Sequence, residues 1–313
     1  MQSLNLGWGI HQLDTQFQRP NMAACYILED HGEVAIIETG TKDTVPLIYA
    51  CLQELGIKQE QVKYVIPTHV HLDHAGGVGL LMQQLPNATL LVHEKGARHM
   101  VDPTKLQAGA TAVYGEAEFK KTYGDLIPVA ADRVLSPGHE QVIKLGERSL
   151  TFLDSPGHAR HHFCIFDDQS QGFFTGDTFG LAYQELTTAH GPFIFPTTTP
   201  VQFDPEALKK SIKMLLSYQP KHMFLTHYGM VDNPEALGQS LLLQVDDLVK
   251  IAKECDLPAG PERIKWLNDS IIKYLLSRLR SHECTLSVDE QIQVMKSDAL
   301  LNAQGLDVWL AGH

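Results

Sequence analysis

The sequence predicts an α/β fold with a helical extension, and three observations carry that reading. Short β-rich runs alternate with helical stretches over the first two thirds, punctuated by Gly, Pro and Asp. Hydrophobic residues make up 43% of the 313 positions, enough to bury a large core. From Pro234 onward the composition shifts, and Leu237, Leu241, Val245, Leu248 and Ala252 recur at helical spacing. A chain of this length accommodates one large domain with an appended helical region, here divided as 1–233 and 234–313.

Residues 24–28 and 34–37 read as strands flanking the turn Asp30-His31-Gly32. Residues 45–55 form an amphipathic helix with Thr44 as N-cap, Pro46 tolerated in the first turn and Gly56 ending it. An apolar strand at 62–67, a helix at 79–85 and a strand at 89–93 follow. Segment 102–132, with Tyr114, Phe119 and Tyr123, lacks clear periodicity and reads as a partly helical lid or a dimer contact. Two hairpins come next, 142–145 with 149–153 and 163–166 with 172–175. Residues 205–218 read as a helix and 222–225 as the final strand, followed by helices after Pro234, at 261–279 and at 288–301.

A formal net charge of -12 repels phosphate backbones and anionic membranes, so neither nucleic acid nor a membrane surface is an expected partner. No apolar run approaches the ~18 residues of a membrane span. The segment MQSLNLGWGIHQLDTQ has no basic stretch followed by an apolar one, so no signal peptide is expected. Cys25, Cys51, Cys164, Cys255 and Cys284 include no C-x-x-C pair, which fits free thiols in a reducing compartment. The expectation is a soluble cytoplasmic protein.

Histidine is the anomaly, with 16 residues, several clustered with acids and glycines. The segment Thr68-His69-Val70-His71-Leu72-Asp73-His74 follows an apolar strand and precedes Gly76-Gly77. Alternation points His69, His71 and Asp73 the same way while the chain stays extended, and His74 turns beside them. Imidazole nitrogen and carboxylate oxygen suit zinc, and also iron or manganese. One ion does not easily take four such tightly tethered side chains, whereas two adjacent ions can share them.

With this H-x-H-x-D-H segment the chain resembles the metallo-β-lactamase superfamily. Ser155-Pro156-Gly157-His158, Thr175-Gly176-Asp177 and Thr226-His227-Tyr228-Gly229 match the family's later motifs, in order and each after a strand. The resemblance spans roughly residues 20–230 and implies an αββα sandwich with a C-terminal helical extension covering the site. It also implies that His69, His71 and His158 hold one divalent metal, that Asp73, His74 and His227 hold a second, and that Asp177 bridges them. His162 reads as a supporting residue beside the ligands, with an exposed place on the surface as the alternative for it and for His161. Structural or surface roles are expected for His93, His139, His190 and His222. Where the family often has Asp-Thr-Gly, this chain has Glu38-Thr39-Gly40, at a supporting position.

The resemblance implies hydrolysis of a thioester or lactone by attack of a metal-bridging hydroxide, with Asp73 passing a proton to the leaving group. Two ions lower the pKa of a shared water from about 15.7 toward ~7. The bridging aspartate and the acidic charge favour the glyoxalase II-like and lactonase-like group over the lactamase and RNA-processing branches. Tyr183, in an aromatic-rich loop after Asp177, and Tyr228 are the candidates to contact a small acyl substrate. The alternatives are a di-iron redox or oxygen-sensing protein, a mononuclear persulfide dioxygenase, and a non-catalytic regulator. His71, where di-iron members usually carry glutamate, and the complete ligand set favour the hydrolase.

Overall fold

The computed structural model describes residues 3–312, leaving out the side chains of residues 113 and 114, so Tyr114 lies outside the description. The chain divides into two compact units, Met1–Asp154 with His161–Gly176, and Ser155–Arg160 with Asp177–His313.

The first unit holds a seven-stranded sheet in sequence order. Its strands are β1 (Leu4–Gly7), β2 (Ile10–Asp14), β3 (Ala24–Asp30), β4 (Glu33–Ile37), β5 (Val62–Ile66), β6 (Thr89–Leu91) and β7 (Val134–Leu135). Pairing is antiparallel from β1 to β4 and parallel from β4 to β7. The parallel strands are linked through helices, as such crossovers require. These helices are α1 (Val45–Glu54), α2 (Leu72–Ala75), α3 (Val78–Gln84), α4 (Glu94–Val101), α5 (Thr104–Tyr114) and α6 (Glu116–Thr122). Ile27, Ile36, Val65 and Leu90 from the sheet, with Ile48, Leu52, Leu81 and Met82 from α1 and α3, form a fully buried cluster.

Four antiparallel strands of the same unit follow: β8 (Gln141–Leu145), β9 (Arg148–Asp154), β10 (Phe163–Asp167) and β11 (Gly172–Gly176). Tyr26 of β3 meets Phe174 of β11 edge-on at 5.2 Å, joining the two sets of strands through buried aromatic surface. Their ends are joined by polar contacts. Asp30 Oδ2 accepts from the backbone N–H groups of Glu147 (2.7 Å) and Arg148 (3.1 Å), and Glu33 accepts from Gly146 N (2.8 Å). The fully buried Arg148 guanidinium pairs with Asp167 at 3.1 Å and donates to Trp8 O. Removing one partner of such a pair strands the other charge away from water.

The second unit carries α7 (Pro205–Ser217), the hairpin β12 (His222–Leu225) and β13 (Gly229–Asp232), and three long helices, α8 (Pro234–Lys253), α9 (Pro261–Ser281) and α10 (Val288–Ala311). Each long helix buries a stripe at helical spacing: Leu241, Val245 and Leu248; Leu267, Ile271 and Leu275; Met295, Ala299 and Ala303. No helix among the described residues is long and apolar enough to cross a membrane. All five cysteines are free thiols.

Several expectations change. Residues 222–225 are not the final strand, because the chain turns through His227 into β13. Thr44 sits at the N-cap position without a capping bond; its backbone is already helical, and its hydroxyl accepts from Thr41 N (3.2 Å) in the preceding turn. Segment 102–132 contains two short helices meeting at Gly115, whose φ of 81° permits the break. Strands β1 and β2 and helix α4 were not anticipated, and α10 runs to Ala311.

Asp30 gives a test of how the first unit is joined. Burial pushes its carboxyl up, but hydrogen bonds from Gln169, His31 and the Glu147 and Arg148 N–H groups more than offset this and hold it at about 2. A carboxyl depressed in the folded state stabilises it above the unfolded pKa, and that stability is lost as pH falls from about 4 toward 2. Asp30→Asn should therefore cost roughly 1–3 kcal/mol at pH 7. Denaturant unfolding at pH 7 and pH 3 should show the gap to the parent narrowing at the lower pH.

Candidate metal centre

Parallel pairing aligns Ile37 of β4 with Ile66 of β5, so the segments leaving both strands emerge side by side. One begins at Glu38 and the other runs through Thr68 into the histidine-rich turn. Glu38 Oε1 accepts from Thr68 Oγ1 (2.5 Å) and lies 3.0 Å from His74 Nδ1, while Oε2 accepts from Thr68 N (3.2 Å). The Glu38 backbone lies in the left-handed region (φ 64°), and the residue is fully buried. Thr39 closes the junction, its N–H and hydroxyl both donating to His74 O at 2.8 and 2.9 Å. Glu38-Thr39-Gly40 thus supports the histidine turn, and the longer carboxylate holds His74 with its Nδ1 proton pointing at Glu38. That tautomer leaves the Nε2 lone pair for a metal.

The ligand-type atoms of this unit converge. His69 Nε2 and His71 Nδ1 are 2.9 Å apart, and His74 Nε2 is 3.6 Å from Asp73 Oδ2. His69 and His74 are fully buried, and the Asp73 side chain is 25% exposed. His162 is also fully buried, its ring stacked on His69 at 4.8 Å between centroids. Gly176 makes room for it, since a Cβ there would collide with His162 Nε2 and Thr68 Oγ1. His161 is buried too, its Nδ1 accepting weakly from Val70 N at 3.4 Å. The surface alternative for both histidines is therefore corrected: they pack beneath the turn that carries His69 and His71.

The register of β9, β10 and β11 brings the end of β9, the start of β10 and the end of β11 to one edge. The segments holding His158 and Asp177 leave from that edge, and both residues belong to the second unit. There His158 Nε2 lies 3.4 Å from Asp177 Oδ2, and His227 Nε2 lies 3.6 Å from Asp177 Oδ1. The His158 loop is tied to α7. Gly157 O accepts from Asp204 N (2.8 Å), Pro156 O accepts from Ser211 Oγ (2.7 Å), and Asp204 caps the helix by accepting from Ala207 N. Gly157 adopts φ 134°, and a Cβ there would collide with the Leu208 backbone. The His227 turn is held by Ala182 N donating to His227 O at 2.6 Å.

Both half-sets have the chemistry of a divalent metal site: buried imidazole nitrogens crowded against one another and against carboxylate oxygens, with few protons to share among them. Tyr183 is fully buried and donates its hydroxyl to Asp298 Oδ1 (3.2 Å), and Tyr228 is buried beside His227. The four histidines expected in structural or surface roles have local partners. His93 Nδ1 caps α4 by accepting from Lys95 N while Nε2 meets Asp154, and His139 accepts from Asp154 N. His190 meets Glu283 and His222 meets Asp232. Gly157→Ala should destabilise the fold by about 2 kcal/mol or more through strain and backbone collision, read as a lowered midpoint of denaturant unfolding.

The model of the metallo-β-lactamase superfamily matches residues 19–227. A metallo-β-lactamase fold-containing protein, ST1585 of Sulfurisphaera tokodaii, is 26% identical over 74% of this chain and 83% of its own length. A hydroxyacylglutathione hydrolase of Salmonella paratyphi A is 25% identical over 78% of this chain and 84% of its own. A human acyl-coenzyme A thioesterase is 25% identical over 55% of this chain and 64% of its own. The solved structure of ST1585 superposes with a TM-score of 0.65 at 22% identity, covering 96% of this chain and 98% of that one. It shares the fold of paired sheets flanked by helices. The family model covers well over half of the sequence, and the chain belongs to the metallo-β-lactamase superfamily.

Proposed function

We propose that this chain is a binuclear metal-dependent hydrolase acting on a thioester or lactone. The observation carrying this is that each unit gathers its own buried half of a His/Asp set at strand ends, with His74 held by Glu38 and with His158 and His227 facing Asp177. His69, His71 and His158 would hold one ion, Asp73, His74 and His227 the other, and Asp177 both. Zinc fits this donor set best, and iron or manganese also suit it. When bound, such a pair supplies Lewis acidity and lowers the pKa of water near it.

The chain's own residues supply the rest. Glu38 fixes the tautomer and direction of His74. Asp73 keeps part of its carboxylate accessible, so it can take a proton and release it to a leaving group. Tyr228, adjacent to His227, is the candidate for contacting substrate. Tyr183 instead spends its hydroxyl on Asp298, which suits holding the loop after Asp177. Helices α8–α10 would serve to cover the site.

The thioester and lactone classes are favoured because relatives named as a hydroxyacylglutathione hydrolase and an acyl-coenzyme A thioesterase match this chain. The acidic charge favours a small acyl substrate over nucleic acid or membrane, and five free thiols fit the cytoplasm. The test is turnover of a panel of acyl-coenzyme A thioesters, S-lactoyl-glutathione and acyl-homoserine lactones by the zinc-loaded chain and by Asp177→Ala. At least one class should be hydrolysed by the parent and at least 100-fold more slowly by the variant, on the order of one lost electrostatic contact to the reacting centre. Equal rates for both proteins, or no turnover alongside an iron-dependent optical signal that bleaches on reduction, would reject the hydrolase reading.

A further inference from the structure

Within the second unit, the chain is pinned on both sides of Thr199. Ahead of it, Asn302 of α10 is 1% exposed; its Oδ1 accepts from Thr198 N (2.6 Å) and its Nδ2 donates to Pro196 O (3.0 Å). The Thr198 hydroxyl is spent on Asn302 O (3.1 Å). Gly305 lets the α10 backbone close on the same residues, since a Cβ there would collide with Thr198 O. Beyond Thr199, Gln202 Oε1 accepts from Arg160 N (2.7 Å), and Asp204 N donates to Gly157 O (2.8 Å). Gly157 and Arg160 flank His158 in the chain, so the segment is tied to the loop that carries this imidazole.

Thr199 is half-buried, and its Oγ1 lies 3.3 Å from His158 Nδ1 and 3.4 Å from His158 Nε2. In the ring plane, a point so nearly equidistant from both nitrogens would crowd Cε1. The hydroxyl therefore stands over the ring face. The N–H and the lone pair of an imidazole lie in its plane, so the hydroxyl engages neither. These two nitrogens are its only neighbours at hydrogen-bond length among the described residues. The same Nε2 faces Asp177 Oδ2 at 3.4 Å. A hydroxyl that is fixed in place and unspent thus stands beside two of the candidate ligands.

We propose that Thr199 is a catalytic residue: its hydroxyl donates a hydrogen bond to the acyl carbonyl oxygen of a substrate seated beside His158 and Asp177. This deepens the hydrolase reading above and rests on it. The carbonyl oxygen of a thioester or a lactone gains negative charge as the acyl carbon is attacked. A donor already held in place strengthens its bond at that moment without reorganising. The carboxylate released by hydrolysis presents the same kind of oxygen, so the same hydroxyl binds it.

The test compares the zinc-loaded parent with Thr199→Val, which keeps the side-chain shape and removes the donor, and with Thr199→Ser, which keeps the donor. Zinc content, acetate binding by calorimetry and kcat/KM over the acyl panel are measured for each. Thr199→Val should retain the parent's zinc and bind acetate about 10-fold more weakly. Its kcat/KM should fall about 10-fold or more, and Thr199→Ser should restore both quantities. Acetate binding decides the contact: equal affinity in parent and Thr199→Val, or no binding to the parent, overturns it while turnover by the parent leaves the hydrolase reading standing. Loss of zinc from Thr199→Val also overturns it, since the residue then serves to hold the ligand loop. If the parent hydrolyses nothing in the panel, the hydrolase reading falls and the contact falls with it.

Discussion

The site rests on one constraint, that imidazoles and carboxylates can be buried only if their protons and lone pairs are accounted for. A buried ligand without a partner costs several kcal/mol, and a buried charge without one costs more. In the first unit the Glu38 carboxylate meets that constraint. It takes the Thr68 hydroxyl and N–H, faces the Nδ1 proton of His74, and does so from a left-handed backbone. Parallel pairing of β4 with β5 is what lets a residue 36 positions earlier reach His74. In the second unit the same requirement falls on the Gly157 loop seated on α7 and on Asp177, whose carboxylate oxygens face His158 and His227.

The candidate ligands were legible in the sequence for a physical reason. A metal needs several nitrogen and oxygen donors at strand ends, and the glycines that let backbone approach there leave compact motifs such as Ser155-Pro156-Gly157-His158. Glu38 was visible as a departure from the family pattern, though its bonds to Thr68 and His74 were not. His161 was left open between a buried and a surface place because a histidine next to another histidine looks solvated, whereas the fold tucks it under Val70. Strands β1 and β2 went unread because Gly7 and Gly9 break their alternation. Segment 102–132 was read as partly helical, but the bounds of α5 and α6 went unread because small residues and Gly115 interrupt any apolar stripe. The bond from Thr198 N to Asn302 could not be found from sequence, since nothing near either residue points to a partner 104 residues away.

The long helices are therefore more than a packing addition to the α/β region. Their apolar stripes hold them to one another, while a few polar side chains, Asp298, Asn302 and Gln244, reach the loop that follows Asp177. Apolar burial supplies most of their stability, and the amides and carboxylates select one loop conformation out of many.

The central proposal is that His69, His71, Asp73, His74, His158, Asp177 and His227 hold a pair of ions. An anomalous-scattering crystal structure of the zinc-loaded chain tests it most directly. The account predicts two peaks, each with ligands from both units and with Asp177 touching both. One peak, or peaks bound by His69, His71, Asp73 and His74 alone, would contradict it.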